Sequence, residues 1–540
     1  MKKHITIIFL ILSAAMIFTA CNKEDNGLVT LNVEITNYTG NSNTKMYVDE
    51  NRYTHWTSGD QVAINGNGAN KKFTVDLTGN KAKIAIPTTA SDTCYLAVYP
   101  ASIAANNYTS KASSISITLP SSQTYSVVNG KQIINAPMYA YCAQGSNSLT
   151  FHNLCSLLKV TVQGRSDEDI ILQNITVTSN NKGLSGGGTI YSPKSVSPYL
   201  SMSSSNKSVS LDFTASTETL SQGTSKSYYI VIPPFTSNTN ITITTEAIGS
   251  NEMKKVLSTT SVTLAANLIV SGPTIYMTGA TVIFSGDGTE DSPFLINDLS
   301  DLTTLKDRVN AGYFYNGKHF KLMNNISCGS WSGIGMSSSY LFQGIFDGDN
   351  KTITYTQTNS GSYCGLFKHI GTATVKKLKV HCTINNAGAG TYAGYCGGIA
   401  GYSYGTTFED DTVITGSSIS GSGRWYGGIT GYTENAAVTI TRCHSYANIE
   451  STQTNNQLNI GGIVGYVKPS GSRVDYCSAS GTIQGTNGDY IGGIVGSLNS
   501  GCTVDNCTFT GTVTGKDGAT YTNNFVGYSN GTVTNCPPAK

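Results

Sequence analysis

Charge is the scarcest property of this 540-residue chain. Asp, Glu, Lys and Arg together make up 12% of it, about half the ~25% of ordinary soluble domains. Methionine (9) and proline (13) are also few, against 58 glycines and 31 tyrosines. Long polar helices need Glu, Lys, Arg and Ala, so this composition argues against a mainly helical protein. Ser, Thr, Asn, Gly and Tyr suit short strands and tight turns instead. A formal net charge of +2 supplies no basic field, which argues against nucleic acid as a partner. The seven histidines are scattered without ligand spacing, and there is no His-Glu-x-x-His, so no metal or cofactor is expected. No Cys-x-x-Cys occurs either. What remains is an all-β surface protein, with length for roughly three or four domains.

The amino terminus sets the compartment. Lys2 and Lys3 precede an apolar run from Ile5 to Phe18, and Thr19-Ala20-Cys21 follows. A charged start, a short apolar stretch and small residues make a secretory signal over residues 1–20. The run falls short of the ~20 residues a membrane-spanning helix needs. Cys21 directly after small residues resembles a bacterial lipobox, in which the thiol is acylated and becomes the first residue. Phe18 stands where Leu is commoner. Asn22-Lys23-Glu24-Asp25 resembles the Lys-plus-two-acids signal that places some Gram-negative lipoproteins on the outer face of the outer membrane. Residues 21–27 would then be a tether. Cleavage removes two lysines and no acid, so the mature chain is neutral.

From Leu28 the pattern has period two. Val29, Leu31, Val33 and Ile35 alternate with polar residues, as do Leu158, Val160 and Val162, and later Ile241 and Ile243. Such alternation marks half-buried strands, and clusters such as Asn65-Gly66-Asn67-Gly68 separate them. Many short strands point to two tandem β-sandwiches, over residues 28–164 and 165–279. Trp56-Thr57-Ser58-Gly59-Asp60, Tyr95–Pro100, Ala136–Ala140, Phe151–Val160 and Tyr229–Pro234 resemble, in order, blocks of the fimbrillin-like lipoproteins. That resemblance implies transthyretin-like sandwiches and a role in cell-surface fimbriae. Some members polymerise after a protease removes the first strand and a neighbour's strand fills the groove. Lys45 and Arg52 lie in the loop where such a cut would fall.

The second half repeats. Gly397-Gly398-Ile399-Ala400-Gly401 recurs at 427–431, 461–465 and 492–496, degenerately at 523–527, with Cys364-Gly365-Leu366-Phe367 as an earlier relative. The steps between second-glycine positions are 33, 30, 34, 31 and 31 residues, which is the signature of stacked units. Cys443, Cys477, Cys507 and Cys536 form a second column with steps of 34, 30 and 29. At ~4.8 Å between coils, neighbouring cysteines lie within disulfide range on distance alone. The preferred reading stacks them inside the coil as small apolar side chains. Leu378 fits that inward column; Asp411 does not, so an irregular coil is expected there. The block resembles the GLUG-motif repeats of bacterial surface proteins, which implies a β-solenoid over 284–540, of about seven or eight coils by length. A helix over 300–310, capped by Ser300 and stopped by Gly312, would cover its first coil.

Tyr402, Tyr432, Tyr466 and Tyr528 follow the glycine motif, and Trp425-Tyr426 adds aromatic surface. Glycans stack on aromatic faces, so these six residues are the candidate ligand-binding stripe; a structural ladder between coils is the competing reading. Polysaccharide cleavage needs grouped carboxylates. The densest set, Glu409-Asp410-Asp411, is consecutive and cannot converge within one strand. Gly183-Leu184-Ser185-Gly186-Gly187 lacks the helix of a nucleophile elbow. Asp287, Glu290 and Asp291 suit hydrated loop acids better than a calcium site. The sequence thus predicts no enzyme. It predicts an outer-membrane, lipid-anchored adhesin or fimbrial tip or accessory subunit, whose partners are the membrane, other fimbrial subunits, and a glycan or protein ligand. A surface lyase or glycosidase on the solenoid is the alternative.

Overall fold

The computed structural model describes residues 28–35, Trp56, and 59–536 apart from short stretches, the longest being 88–94 and 387–393. The lipobox with Cys21, the sorting signal, and the Lys45 and Arg52 loop lie outside the described residues. The described chain is β-rich, with a single α-helix. It divides into two compact units: Met1–Gly249 with Met253–Thr281, and Ser250–Glu252 with Val282–Lys540.

In the first unit, an eight-stranded sheet runs in the order Ala69–Thr74, Gln61–Gly66, Tyr95–Tyr99, Met138–Cys142, Ser148–Asn153, Leu28–Ile35, Lys81–Pro87, Asp76–Thr78. Leu28–Ile35 is an inner strand despite being first in the chain. It pairs in parallel with Ser148–Asn153 and antiparallel with Lys81–Pro87. One face of this sheet buries Leu31, Ile64, Ala97 and Phe151, and the other buries Leu96, Val98 and Tyr139.

A second core lies between two further sheets. Ser156–Gln163, flanked by Ser225–Ile232 and Ile269–Tyr276, contributes Leu158, Val160 and Val162. Ile170–Ser179 and its partners Phe235–Ile248 and Ser208–Asp212 contribute Ile175, Val177, Leu211 and Ile243. Strand pairing crosses the expected boundary at residue 164. Ser156–Gln163, Ser114–Leu119 and Ser122–Thr124 all pair with strands from beyond it. The alternation predicted the strands but not their partners, because a period of two carries no information about which sheet a strand joins.

The outer edge of Ser225–Ile232 is closed by side chains. Gln123 donates from Nε2 to the Val231 oxygen (2.7 Å) and accepts from the Val231 nitrogen at Oε1 (2.9 Å). Gln132 makes the same pair with Tyr229, at 2.8 and 2.9 Å. Each amide copies the peptide group of a missing strand, which satisfies polar groups that an open edge leaves exposed.

The second unit is a β-solenoid. One coil shows its plan: Tyr395–Gly397, Ala400–Tyr404, Thr407–Glu409, Thr412–Val413 and Ser418–Gly421 each pair in parallel with the equivalent strand of the next coil. In-register stacking converts sequence period into columns. Phe346, Val375, Phe408, Ile440, Val474 and Val504 form one inward column. Ile384, Ile419, Ile449, Ile483 and Val513 form another. All eleven are buried. The sheet that follows the glycine corner has six strands, from Phe367–Gly371 to Val526–Ser529, so about six coils close fully. The shortfall from seven or eight arises because residues 284–350 form the helix and lead-in strands instead of complete turns.

The repeated glycines sit at the corner of each coil, and space is what requires them. A Cβ on Gly397, Gly427, Gly461 or Gly492 would lie 2.1–2.2 Å from the carbonyl oxygen three residues on. A Cβ on Gly462, facing inward, would lie 2.2 Å from the Gly493 oxygen and 2.6 Å from Ala479 Cβ. Distances under 3.0 Å do not occur for real Cβ atoms. The chain folds sharply enough here that two backbone segments touch.

Helix α1 spans Leu299–Asn310. Its cap is Asp298, not Ser300: the Asp298 carboxylate accepts from the Ser300 nitrogen at 2.8 Å and the Asp301 nitrogen at 3.1 Å. A carboxylate there also opposes the positive end of the helix dipole. Leu302, Leu305 and Val309 share the buried face as predicted, worth roughly 1.5–3 kcal/mol each against exposure. Gly312 follows with φ +102°.

The cysteine column is inward and unbridged. Cys443, Cys477 and Cys507 are buried free thiols, and Cys536 is partly exposed. Asp411 occupies the same column, and the irregular coil expected there is absent: Thr412 stays in register with both Lys379 and His444. The slot accepts an acid because burial pushes its pKa well above the carboxylate range, leaving a neutral carboxyl. Its Oδ1 accepts from the Leu378 nitrogen at 2.9 Å.

Two outcomes follow. Gly461→Ala introduces an overpacked contact, so the unfolding free energy should fall by about 3 kcal/mol or more in denaturant titration; unchanged stability contradicts the close-approach account. For Asp411, the folded chain holds a proton that the unfolded chain loses above its ordinary pKa, so stability falls as pH rises. Tm should therefore drop between about pH 5 and pH 8, and Asp411→Asn should flatten that slope.

Candidate functional site

Two outward columns meet at the glycine corner. The first, by register, is Tyr363, Tyr395, Trp425, Asn459 and Tyr490. The second is His369, Tyr402, Tyr432, Tyr466, Ser497 and Tyr528. Because the corner glycines bring the two strands together, the rings of both columns interlock. Tyr363, Tyr395 and Trp425 stack face to face, with centroids 4.6 and 4.4 Å apart and planes within 9°. Tyr432 meets Tyr395 edge-on at 5.2 Å and Trp425 at 5.3 Å. Tyr402 lies 5.8 Å from Tyr432. Each well-placed ring pair adds ~0.5–1.5 kcal/mol beyond area burial, so the ladder fastens coil to coil.

Five of the six predicted stripe residues lie on these columns. Tyr402, Trp425 and Tyr432 are 7–9% exposed, their faces covered by neighbouring rings. Tyr466 is half-buried, and Tyr528 is exposed against Tyr490 at 4.8 Å. Tyr426 does not belong to the stripe. Consecutive strand residues point to opposite sides, and Tyr426 points inward, in register with Cys396 and Ile460 and fully buried. Tyr363, Tyr395 and His369 were missed. They precede or stand apart from the glycine motif, and only strand register aligns them with it.

The polar rim is paired across coils. Lys468 bridges to Glu434 and donates to the Tyr432 hydroxyl at 3.3 Å. Asn435 donates to the Tyr402 hydroxyl at 3.0 Å, and the Arg424 guanidinium lies 4.5 Å over the Trp425 ring. Burial pushes Tyr432 up to about 12 and raises Tyr402 and Tyr395 too. These hydroxyls therefore stay protonated at any physiological pH. They can donate and accept hydrogen bonds beside apolar ring surface, which suits recognition of a polar ring such as a sugar better than proton transfer.

The other sequence candidates do not assemble. Glu409 and Asp410 both pair with the Arg442 guanidinium at the surface, while Asp411 faces the interior. Ser185 is buried and donates to the Ser208 oxygen at 2.7 Å. Asp287 accepts from the nitrogen and hydroxyl of Thr289, closing its own loop. Among the described residues no group of three or more His, Cys, Asp or Glu side chains is placed to hold a metal. A cleft of about 640 Å³ in the first unit is lined by Asp60, Tyr99, Gln123 and Asn135 among others.

No curated protein matches the chain. Among solved structures, it is similar to a candidate immunoglobulin A1 protease from Bacteroides ovatus, at 20% identity over 47% of this chain and 78% of that one, with a TM-score of 0.38. It is also similar to a candidate cell adhesion protein from Bacteroides uniformis (14% identity, 48% and 96% coverage, TM-score 0.26). A fimbrial protein from Bacteroides vulgatus compares at 10% identity, 47% and 97% coverage and a TM-score of 0.25. The GLUG motif matches residues 487–514, the coil that opens at Tyr490–Gly492 and closes at Thr512–Thr514. The corner glycines and columns of that coil recur in register along the solenoid, so the C-terminal half carries GLUG-motif repeats.

Proposed function

We propose that the chain is an exported, lipid-anchored surface protein that acts as an adhesin, or as a tip or accessory subunit of a fimbria, with its solenoid presenting a binding face to a glycan or protein. The observation that carries this reading is the aromatic corner. It fixes rings at coil spacing along successive turns, and Tyr363, Tyr395, Tyr404 and Tyr466 keep part of their surface open. A rigid, repeated array of this kind suits an extended polymer, because binding to ordered groups loses little conformational entropy. The inner position of Leu28–Ile35 supports the fimbrial version. Removing that strand would leave the edges of Ser148–Asn153 and Lys81–Pro87 facing each other across one strand's width, a gap suited to a neighbour's strand. No observation favours the carbohydrate-cleaving alternative, since the densest acids are divided between an arginine and the interior.

The anchor is tested in cells. Export with tritiated palmitate should label the wild-type chain, and Cys21→Ser should lose both the label and the membrane fraction; a labelled Cys21→Ser chain refutes the anchor. The binding face is tested on the mature chain by a glycan and cell-binding screen, comparing wild type with the Tyr395→Ala/Tyr466→Ala double variant. At least tenfold weaker binding with Tm nearly unchanged is expected. Intact binding with a lowered Tm makes the ladder structural only.

A further inference from the structure

A second recognition site lies at the capped end of the solenoid. Helix α1 turns Leu302, Leu305 and Val309 inward. At the complementary spacing, Leu299, Thr303 and Lys306 line a pocket of about 420 Å³. Its remaining wall comes from Cys328, Ser330, Trp331, Ser332, Thr358 and Lys368. None of these nine residues is acidic. Two are lysines, four carry hydroxyls, and burial pushes the Cys328 thiol up to about 11, so it adds no negative charge at neutral pH.

The basic groups are held in place. The Trp331 indole donates from Nε1 to the Leu366 oxygen at 3.0 Å, and the Lys306 ammonium sits 5.1 Å from its ring centroid. The anion nearest Lys306 is Asp307 at 3.4 Å, itself 66% exposed, a pairing of little strength at a wet surface. Lys368 is half-buried, and its stem lies where a Cβ on Gly333 would come within 2.7 Å of its Cγ. Gly333 has φ +84°, so only glycine leaves that space at that backbone geometry. Among the described residues Lys368 has no ion-pair partner, and burial lowers its pKa without an opposing carboxylate. A partly desolvated ammonium without a counter-charge is costly, and an incoming anion removes that cost.

We propose that this pocket binds an acidic sugar residue, its carboxylate or sulfate held by Lys306 and Lys368 and its hydroxyls by Thr303, Ser330 and Thr358. The volume falls within the ~300–1,000 Å³ of small-ligand sites, and clustered hydroxyls beside an indole fit a carbohydrate better than a bare ion. The inference rests on the reading of the chain as a surface binding protein but names a site separate from the aromatic corner.

The test is calorimetry on the mature chain with four probes: a heparin tetrasaccharide (sulfate), trigalacturonate (carboxylate), cellotetraose (neutral) and inorganic sulfate. Lys306→Met and Lys368→Met remove the charge and keep the apolar stems, and Tm controls for folding. At least one acidic oligosaccharide should bind, more tightly than inorganic sulfate. Each single variant should weaken it at least tenfold, raised salt should weaken it further, and cellotetraose should not bind. The probe that binds identifies the anion. The proposal falls if neither acidic oligosaccharide binds, if the double variant binds as well as wild type, or if cellotetraose or inorganic sulfate binds equally. A cell-adhesion assay on the same variants separates the two readings. Adhesion unaffected by the lysine changes sinks the pocket alone, whereas lysine-dependent oligosaccharide binding without any adhesion sinks the adhesin reading alone.

Discussion

The solenoid depends on one steric constraint: at each corner, backbone touches backbone. A carbonyl oxygen lies where the first glycine's Cβ would be, and the next coil lies where the second glycine's would be. That contact sets the angle of the corner, and the angle sets everything outside it. Strands meeting more openly would hold their outward residues apart, and Tyr395 and Tyr432 would not meet at 5.2 Å. The glycines and the tyrosines that follow them are therefore one device, a bend and the wedge that fills it.

Register transmits that device along the chain. Once one coil stacks on another, every residue acquires a partner about one turn away, and its tolerance depends on what stands above and below. Cysteine is accepted in the inward column because its neighbours are equally small and apolar. Asp411 is accepted at the cost of its charge. The scarcity of charged residues is explained the same way, since a parallel stack buries one side of each strand and crowds like residues together on the other. Where charges occur, they pair between coils, as with Arg442 to Glu409 and Asp410, or Lys468 to Glu434.

Much of this was legible in the sequence. The thirty-odd residue period located the coils, and the buried helix face at Leu302, Leu305 and Val309 was read correctly from spacing. Other features needed three dimensions. Tyr426 was misassigned because proximity to Trp425 was taken for a shared face, when strand alternation separates the two. Ser300 was preferred as cap because hydroxyls suit that place, but Asp298 reaches two nitrogens. Tyr363 and Tyr395 escaped because their column is defined by what they pair with, not by a motif around them. The boundary at 164 failed for the same reason: long-range pairing leaves no local mark. The lysine pocket was invisible because its parts come from a helix, a loop and two strands spread over some seventy residues.

The glutamine amides along Ser225–Ile232 have a consequence of their own. A true strand partner is held by its whole backbone, and removing it means unfolding a segment. Gln123 and Gln132 hold the same edge by side chains alone, and a side chain swings away by rotating about its own bonds. The seam is closed but not welded. It keeps the edge from sticking to other chains, while opening it disturbs no backbone hydrogen bond elsewhere in the sheet.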